Sequence, residues 1–139
     1  MKNTLAGIAV SLLVMLSLTG CQKDNQTKLT DGIWTFSNLT TDSQDDNIIS
    51  LIALGKAFMT DATMEFQEGG TYIMTSPLIV NPTTGSWQLI GEDQLILDPD
   101  DELPSTSNIE TLSKDKLSYL ESFVDGQMNS YTVTTTWTR

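Results

Sequence analysis

Residues 130–138 constrain the fold more tightly than any other part of the sequence. Tyr131, Val133, Thr135 and Trp137 alternate strictly with Thr132, Thr134, Thr136 and Thr138. A period of two places each set on its own face of a strand. The result is a half-buried strand with an apolar side and a threonine-lined wet side. Such a strand needs neighbours, and the rest of the chain supplies them in series.

Trp34 and Phe36 share a face of a first strand over residues 34–40. Residues 63–66 and 71–75 form a hairpin around Glu68-Gly69-Gly70. Pro77, Pro82 and Gly85 mark a loop. Residues 86–90 and 94–97 pair around Gly91-Glu92-Asp93, and residues 98–104 form a second loop. Residues 108–112 and 116–124 pair around Ser113-Lys114-Asp115, and Asp125-Gly126 leads into the last strand. One helix interrupts this order. Ser43 is a cap candidate, and Asp45 and Asp46 suit the positive helix end. Ile48, Leu51, Ile52, Phe58 and Met59 then recur at helical spacing over residues 45–59. Ile49, Ala53, Leu54 and Ala57 widen the stripe, so most of the helix is expected to be covered. About eight sequential strands leave two open edges unless the sheet closes on itself. The expected fold is all-β: an antiparallel up-and-down barrel with one helix capping an end.

The N-terminus carries an address. Lys2 precedes an apolar run over residues 5–18, too short to cross the hydrocarbon core, and Leu18-Thr19-Gly20 leads to the only cysteine, Cys21. This ending resembles a bacterial lipobox. The resemblance implies cleavage after a signal peptide of residues 1–20, acylation of Cys21, and membrane attachment through it. Cys21-Gln22-Lys23-Asp24-Asn25 resembles the Bacteroidetes lipoprotein export signal, with Asn25 where a second acid is usual. That signal implies an outer-membrane protein exposed on the cell surface. The same residues also read as an ordinary solvated linker, and residues 21–28 are expected to be a flexible tether.

Cutting after residue 20 leaves 119 of 139 residues, one domain's worth. The removed segment carries only Lys2, so the net charge moves from −11 to −12. Such acidity excludes nucleic acid as a partner. One cysteine allows no internal disulfide, so packing alone must hold the fold. The chain has no His, and its single thiol is assigned to the lipid. No nucleophile elbow, phosphate-binding glycine loop or Cys/His metal spacing is present. No enzyme, cofactor or metal is therefore expected. Asp98-Pro99-Asp100-Asp101-Glu102 offers oxygen ligands, but without the glycine turn and distant Glu of a calcium loop it reads as a plain acidic loop.

Gly32-Ile33-Trp34 at the head of the first strand, the meander, and the ending Trp137-Thr138-Arg139 resemble the lipocalin-like domains of small Bacteroidetes lipoproteins. The resemblance spans residues 29–139. It implies that Trp34 plugs the closed end of the barrel with Arg139 packed on it. It also implies a ligand cavity, for which Phe36, Met64, Phe66, Tyr72, Met74, Trp87, Leu89, Tyr119, Glu121 and Tyr131 are the candidates. Glu121 shares parity with Leu117, Tyr119 and Phe123, so it points inward unless a bulge breaks the register. Secreted lipocalins carry their helix near the end. Here it follows the first strand, as the mouth-capping helices of fatty-acid-binding proteins do, which points to a lid over residues 45–59. The function expected is binding of a small apolar or amphipathic molecule in the barrel. The alternative is a filled barrel that docks to a surface protein complex.

Overall fold

A computed structural model describes residues 23–100 and 102–139. The apolar leader and the lipid-attachment candidate Cys21 lie outside the described residues. A first helix, α1, occupies residues 23–30. Eight strands follow: β1 (Ile33–Thr41), β2 (Thr63–Phe66), β3 (Thr71–Ser76), β4 (Ile79–Ile90), β5 (Gln94–Pro99), β6 (Ser105–Leu112), β7 (Lys116–Val124) and β8 (Ser130–Thr138). The second helix, α2 (Asp46–Met59), lies between β1 and β2. Each strand pairs antiparallel with the next, and β8 returns to β1, closing the barrel.

The alternation of strand directions gives the barrel two unlike ends. At one end lie the start of β1, the β2–β3, β4–β5 and β6–β7 turns, and the C-terminus. This end is solid: Trp34, Met64, Phe66, Leu95, Leu117 and Trp137 are at most 1% exposed. At the other lie the end of β1, α2, the β3–β4 and β7–β8 turns, and the β5–β6 connection. There the inner wall thins out. Along β7, Leu117 and Tyr119 are buried, Glu121 is half-buried and Phe123 is exposed.

Four expectations from the sequence need correcting. Residues 23–28, read as part of a flexible tether, are helical. The helix is fastened at its last turn by Leu29, which is fully buried, and by side-chain partners distant in sequence. Lys28 also pairs with Asp24 one turn back at 2.6 Å. A polar composition hides this, because a single apolar residue does the anchoring.

The loop expected across Pro77, Pro82 and Gly85 is mostly strand. The upper part of β4 pairs with β3, but pairing with β5 begins only at Gly85–Pro99. Pro82 therefore stands on a local edge, where its missing N–H costs no ladder bond.

The cap of α2 is Asp45, not Ser43: its carboxylate accepts from the Asn47 and Ile48 N–H groups. Ser43 instead accepts from the Asp45 N–H.

Finally, α2 is not covered. Ile48, Ile52, Gly55 and Met59 are half-buried, and none of its residues is fully buried. Gly55 lets the helix approach closely, since a Cβ there would stand 3.3 Å from Leu39 Cδ2. Leu51, Leu54 and Phe58 face outward and are about half exposed or more. The helix thus carries two apolar stripes and uses only one.

Candidate functional site

The closed end is built around Trp34. Its indole N–H donates to Leu29 O at 2.9 Å, and the Arg139 guanidinium lies 3.7 Å from the ring centroid. Arg139 Nη2 donates to the carbonyls of Lys28 and Leu29, and Nη1 to Lys114 O. One cation thereby ties the C-terminus to α1 and the β6–β7 turn, with the indole face beneath it.

The ten cavity candidates divide by height. Phe36, Met64, Phe66, Tyr72, Trp87, Leu89 and Tyr119 are buried in one packed cluster, and Met74 is half-buried against it. Edge-to-face contacts at 5.7 Å link Phe36 to Trp137 and Phe66 to Trp87. These eight side chains occupy the lower and middle barrel as core. Glu121 and Tyr131 are half-buried nearer the mouth. Glu121 pairs across strands with Val133, which is buried from the inner face, so both project inward. Tyr131 stacks on Phe123 at 5.6 Å with 24° between the rings.

Sequence reasoning missed one buried polar side chain of the inner wall. Ser107 is fully buried, pairs with inward-facing Leu95, and its hydroxyl has no hydrogen-bond partner. It escaped notice because β6 was expected to begin at residue 108; its alternation with Ile109 is the signal that would have found it. Continuing the Asn108–Leu120 pairing by one step sets Ser107 beside Glu121. Tyr119 accepts a hydrogen bond from the Trp137 indole N–H at 3.3 Å and pairs across strands with buried Thr135. Burial pushes the Tyr119 phenol up to about 12. Tyr72 is raised for the same reason, with Glu102, Asp100 and Asp98 adding to it.

The rim is acidic. A hollow of about 400 Å³ is lined by Asp42, Asp45, Asp125, Asn129 and Tyr131, among others. The Asp42 carboxyl is held below its ordinary value by the Thr132 N–H, and that of Asp125 by the Asn129 N–H. Both acids therefore stay ionised. Lys23, Lys28, Lys114, Lys116 and Arg139 all lie at the closed end. Among the described residues, Lys56 on α2 is the one cation at the open end. A second hollow of about 380 Å³ lies outside the barrel, between α1, Gly69, Gly70 and Trp87.

Among the described residues, no group of three or more His, Cys, Asp or Glu is gathered as metal ligands. The acidic segment after β5 is used structurally, with Thr84 donating its hydroxyl to Asp100 at 2.6 Å; Asp101 lies outside the described residues. Among the described residues, no helix is long and apolar enough to cross a membrane.

These features define a class: a small antiparallel barrel, plugged at one end, with a helix over the other. The chain is similar in structure to a DUF4847 family protein from Bacteroides vulgatus ATCC 8482. The TM-score is 0.47 at 12% sequence identity, over 77% of this chain and 93% of that one. No family model matches the chain, and no curated protein matches it.

Proposed function

We propose that this chain is a lipid-anchored, non-catalytic binding module of the outer membrane, held through an acylated Cys21. It takes up a small apolar or amphipathic molecule at the open end of the barrel, beneath α2. One observation carries the reading: near the mouth the inner wall is only partly covered, with Met74, Glu121 and Tyr131 half-buried and Phe123 exposed, under a helix that buries none of its residues fully. A wall of aromatic and aliphatic side chains with a few convergent polar groups suits a small ligand. The packed lower barrel limits that ligand to the upper half. The test is native mass spectrometry of the chain extracted gently from its own cells. A retained small-molecule mass is expected; an unliganded mass, with no uptake of added amphiphiles, would end the proposal.

A second reading has its own observation. Leu51, Leu54 and Phe58 on α2, with Leu78, Ile79 and Val80 after β3, leave an apolar surface exposed at the open end. Contiguous exposed patches of this kind mark contact surfaces. On this reading the barrel is a scaffold and α2 docks to a surface protein complex. Leu51→Glu with Leu54→Glu would then abolish partner recovery while leaving small-molecule uptake unchanged.

A further inference from the structure

We infer that the mouth of the barrel selects a molecule with a positively charged amine head, and that Glu121 is its counter-ion. The inference rests on the binding reading above and names the ligand class.

Glu121 is a half-buried carboxylate on the inner wall, and neither a hydrogen bond nor an ion pair engages it. A carboxylate on the inner wall that no protein donor engages is free to take a cation from the ligand as its partner. The protein itself offers no cation here, because among the described residues Lys56 alone shares the open end. The neighbours suit an amine. Phe123 and Tyr131 stack two register steps above Glu121 on the same face, giving aromatic surface to a cation and to the apolar body attached to it. An ammonium has three donors and no acceptor, which matches an acceptor-only carboxylate.

The surrounding charge excludes the opposite class. Asp42, Asp45 and Asp125 ring the adjoining hollow, and the first and last are held ionised by backbone N–H groups. A fatty carboxylate entering past them would meet a negative rim and then Glu121. A cationic head is attracted along the same path. The packed cluster below Tyr119 limits the body of the ligand to the upper barrel.

The experiment compares octylamine, octanol and octanoate, which share one tail and differ in head charge. Binding to the full chain in zwitterionic lipid nanodiscs is measured by equilibrium dialysis, as the excess over empty discs. Octylamine is expected to bind roughly tenfold more tightly than octanol, and octanoate more weakly than either. In Glu121→Gln the amine preference should vanish while octanol binding is unchanged. That variant is nearly isosteric at a half-buried site, and retained octanol binding reports that it is folded. Octanol binding with no preference for the amine overturns the charge inference and leaves the binding proposal standing. So does an amine preference that survives Glu121→Gln. Failure of all three probes to bind overturns both.

Discussion

Arg139 shows how much one side chain can hold together. Its side chain is 14% exposed, and it reaches three backbone carbonyls and one indole face. The contact with Asp31 at 3.9 Å adds little, because that acid is solvated. Losing the cation–π contact and the charged hydrogen bonds should cost about 2–4 kcal/mol. Denaturant unfolding of Arg139→Ala checks this, and a loss below about 0.5 kcal/mol would refute the role. Arg139→Lys should recover only part, since an ammonium cannot span the same acceptors. Tyr119 makes a second residue-scale prediction. Its phenol is raised from 10.0 to about 12 by burial. The folded state therefore holds the proton more tightly than the unfolded state. Its contribution is complete below pH 10 and is lost as pH rises through about 12. The loss amounts to roughly 2–3 kcal/mol. An alkaline unfolding series on Tyr119→Phe should show a shallower decline. Legibility differed sharply at this scale. Trp34 and Arg139 stood out because both sit at strand ends in a recognisable triplet and terminus. Ser107 did not: alternation with Ile109 could have given its face, but nothing in the sequence shows that its hydroxyl lacks a partner.

At the scale of elements, the strands were legible and their extents were not. Alternation set parity correctly for β1, β7 and β8, and Gly and Asp turns located the β2–β3, β4–β5 and β6–β7 reversals. β4 was misjudged because Pro82 marks a break only where both ladders need the N–H, and pairing on one side cannot be read from a single strand. Gly85 is the point where the two-sided pairing begins. A Cβ there would collide with Asp98 O and stand 2.7 Å from Pro99 Cα and 2.9 Å from the Tyr72 ring. Two of those atoms belong to backbone and cannot swing aside. Gly85→Ala should therefore destabilise by about 1–3 kcal/mol, measured by chemical denaturation; an unchanged midpoint would mean that β5 can move away freely. The helix α2 behaves in the opposite way. It rests on a half-buried stripe, the Asp45 cap, and a hydrogen bond from Ser76 Oγ to Phe58 O at 2.7 Å. Asp45→Ala should cost about 0.5–2 kcal/mol locally. Amide exchange should accelerate along residues 46–59 and stay unchanged in the β7–β8 ladder. Equal acceleration in both would show that the helix is part of the cooperative barrel core and not a separable cover.

The whole molecule is polar from end to end, and this bears on how the proposed anchor orients it. Five of the six described cations sit at the closed end and nearly balance Asp24, Asp31, Glu68, Glu92, Asp93 and Asp115 there, while Asp42, Asp45, Asp46, Asp98, Asp100, Glu102, Glu121 and Asp125 gather toward the open end with Lys56 alone. Total composition could not reveal this, because net charge carries no position. The helix α1 converts it into an orientation. It is described from Lys23 onward and is pinned under the barrel by Leu29, Arg139 and a hydrogen bond from Asn25 Nδ2 to Glu92 O at 3.2 Å. If Cys21 carries the lipid, it lies two positions before Lys23, the first described residue of the helix. At about 3.3–3.6 Å per residue, the first turn of α1 then lies within roughly 10 Å of the acyl chains. The closed end would then face the bilayer, with Lys23, Lys28, Lys114 and Lys116 close enough to meet anionic headgroups within a Debye length. The acidic mouth faces away, toward whatever it binds. Paramagnetic lipid added to the nanodisc-bound chain should therefore broaden amide signals of Lys114 and Lys116 strongly. Signals of Leu78 and Gln127, at the far end, should be spared. Leu29→Ala should blur the distinction, because removing the buried side chain, at a cost of about 2–5 kcal/mol, frees α1 to act as the loose linker its composition suggests. Uniform broadening of both ends in the unsubstituted protein would mean that α1 does not fix the barrel on the membrane.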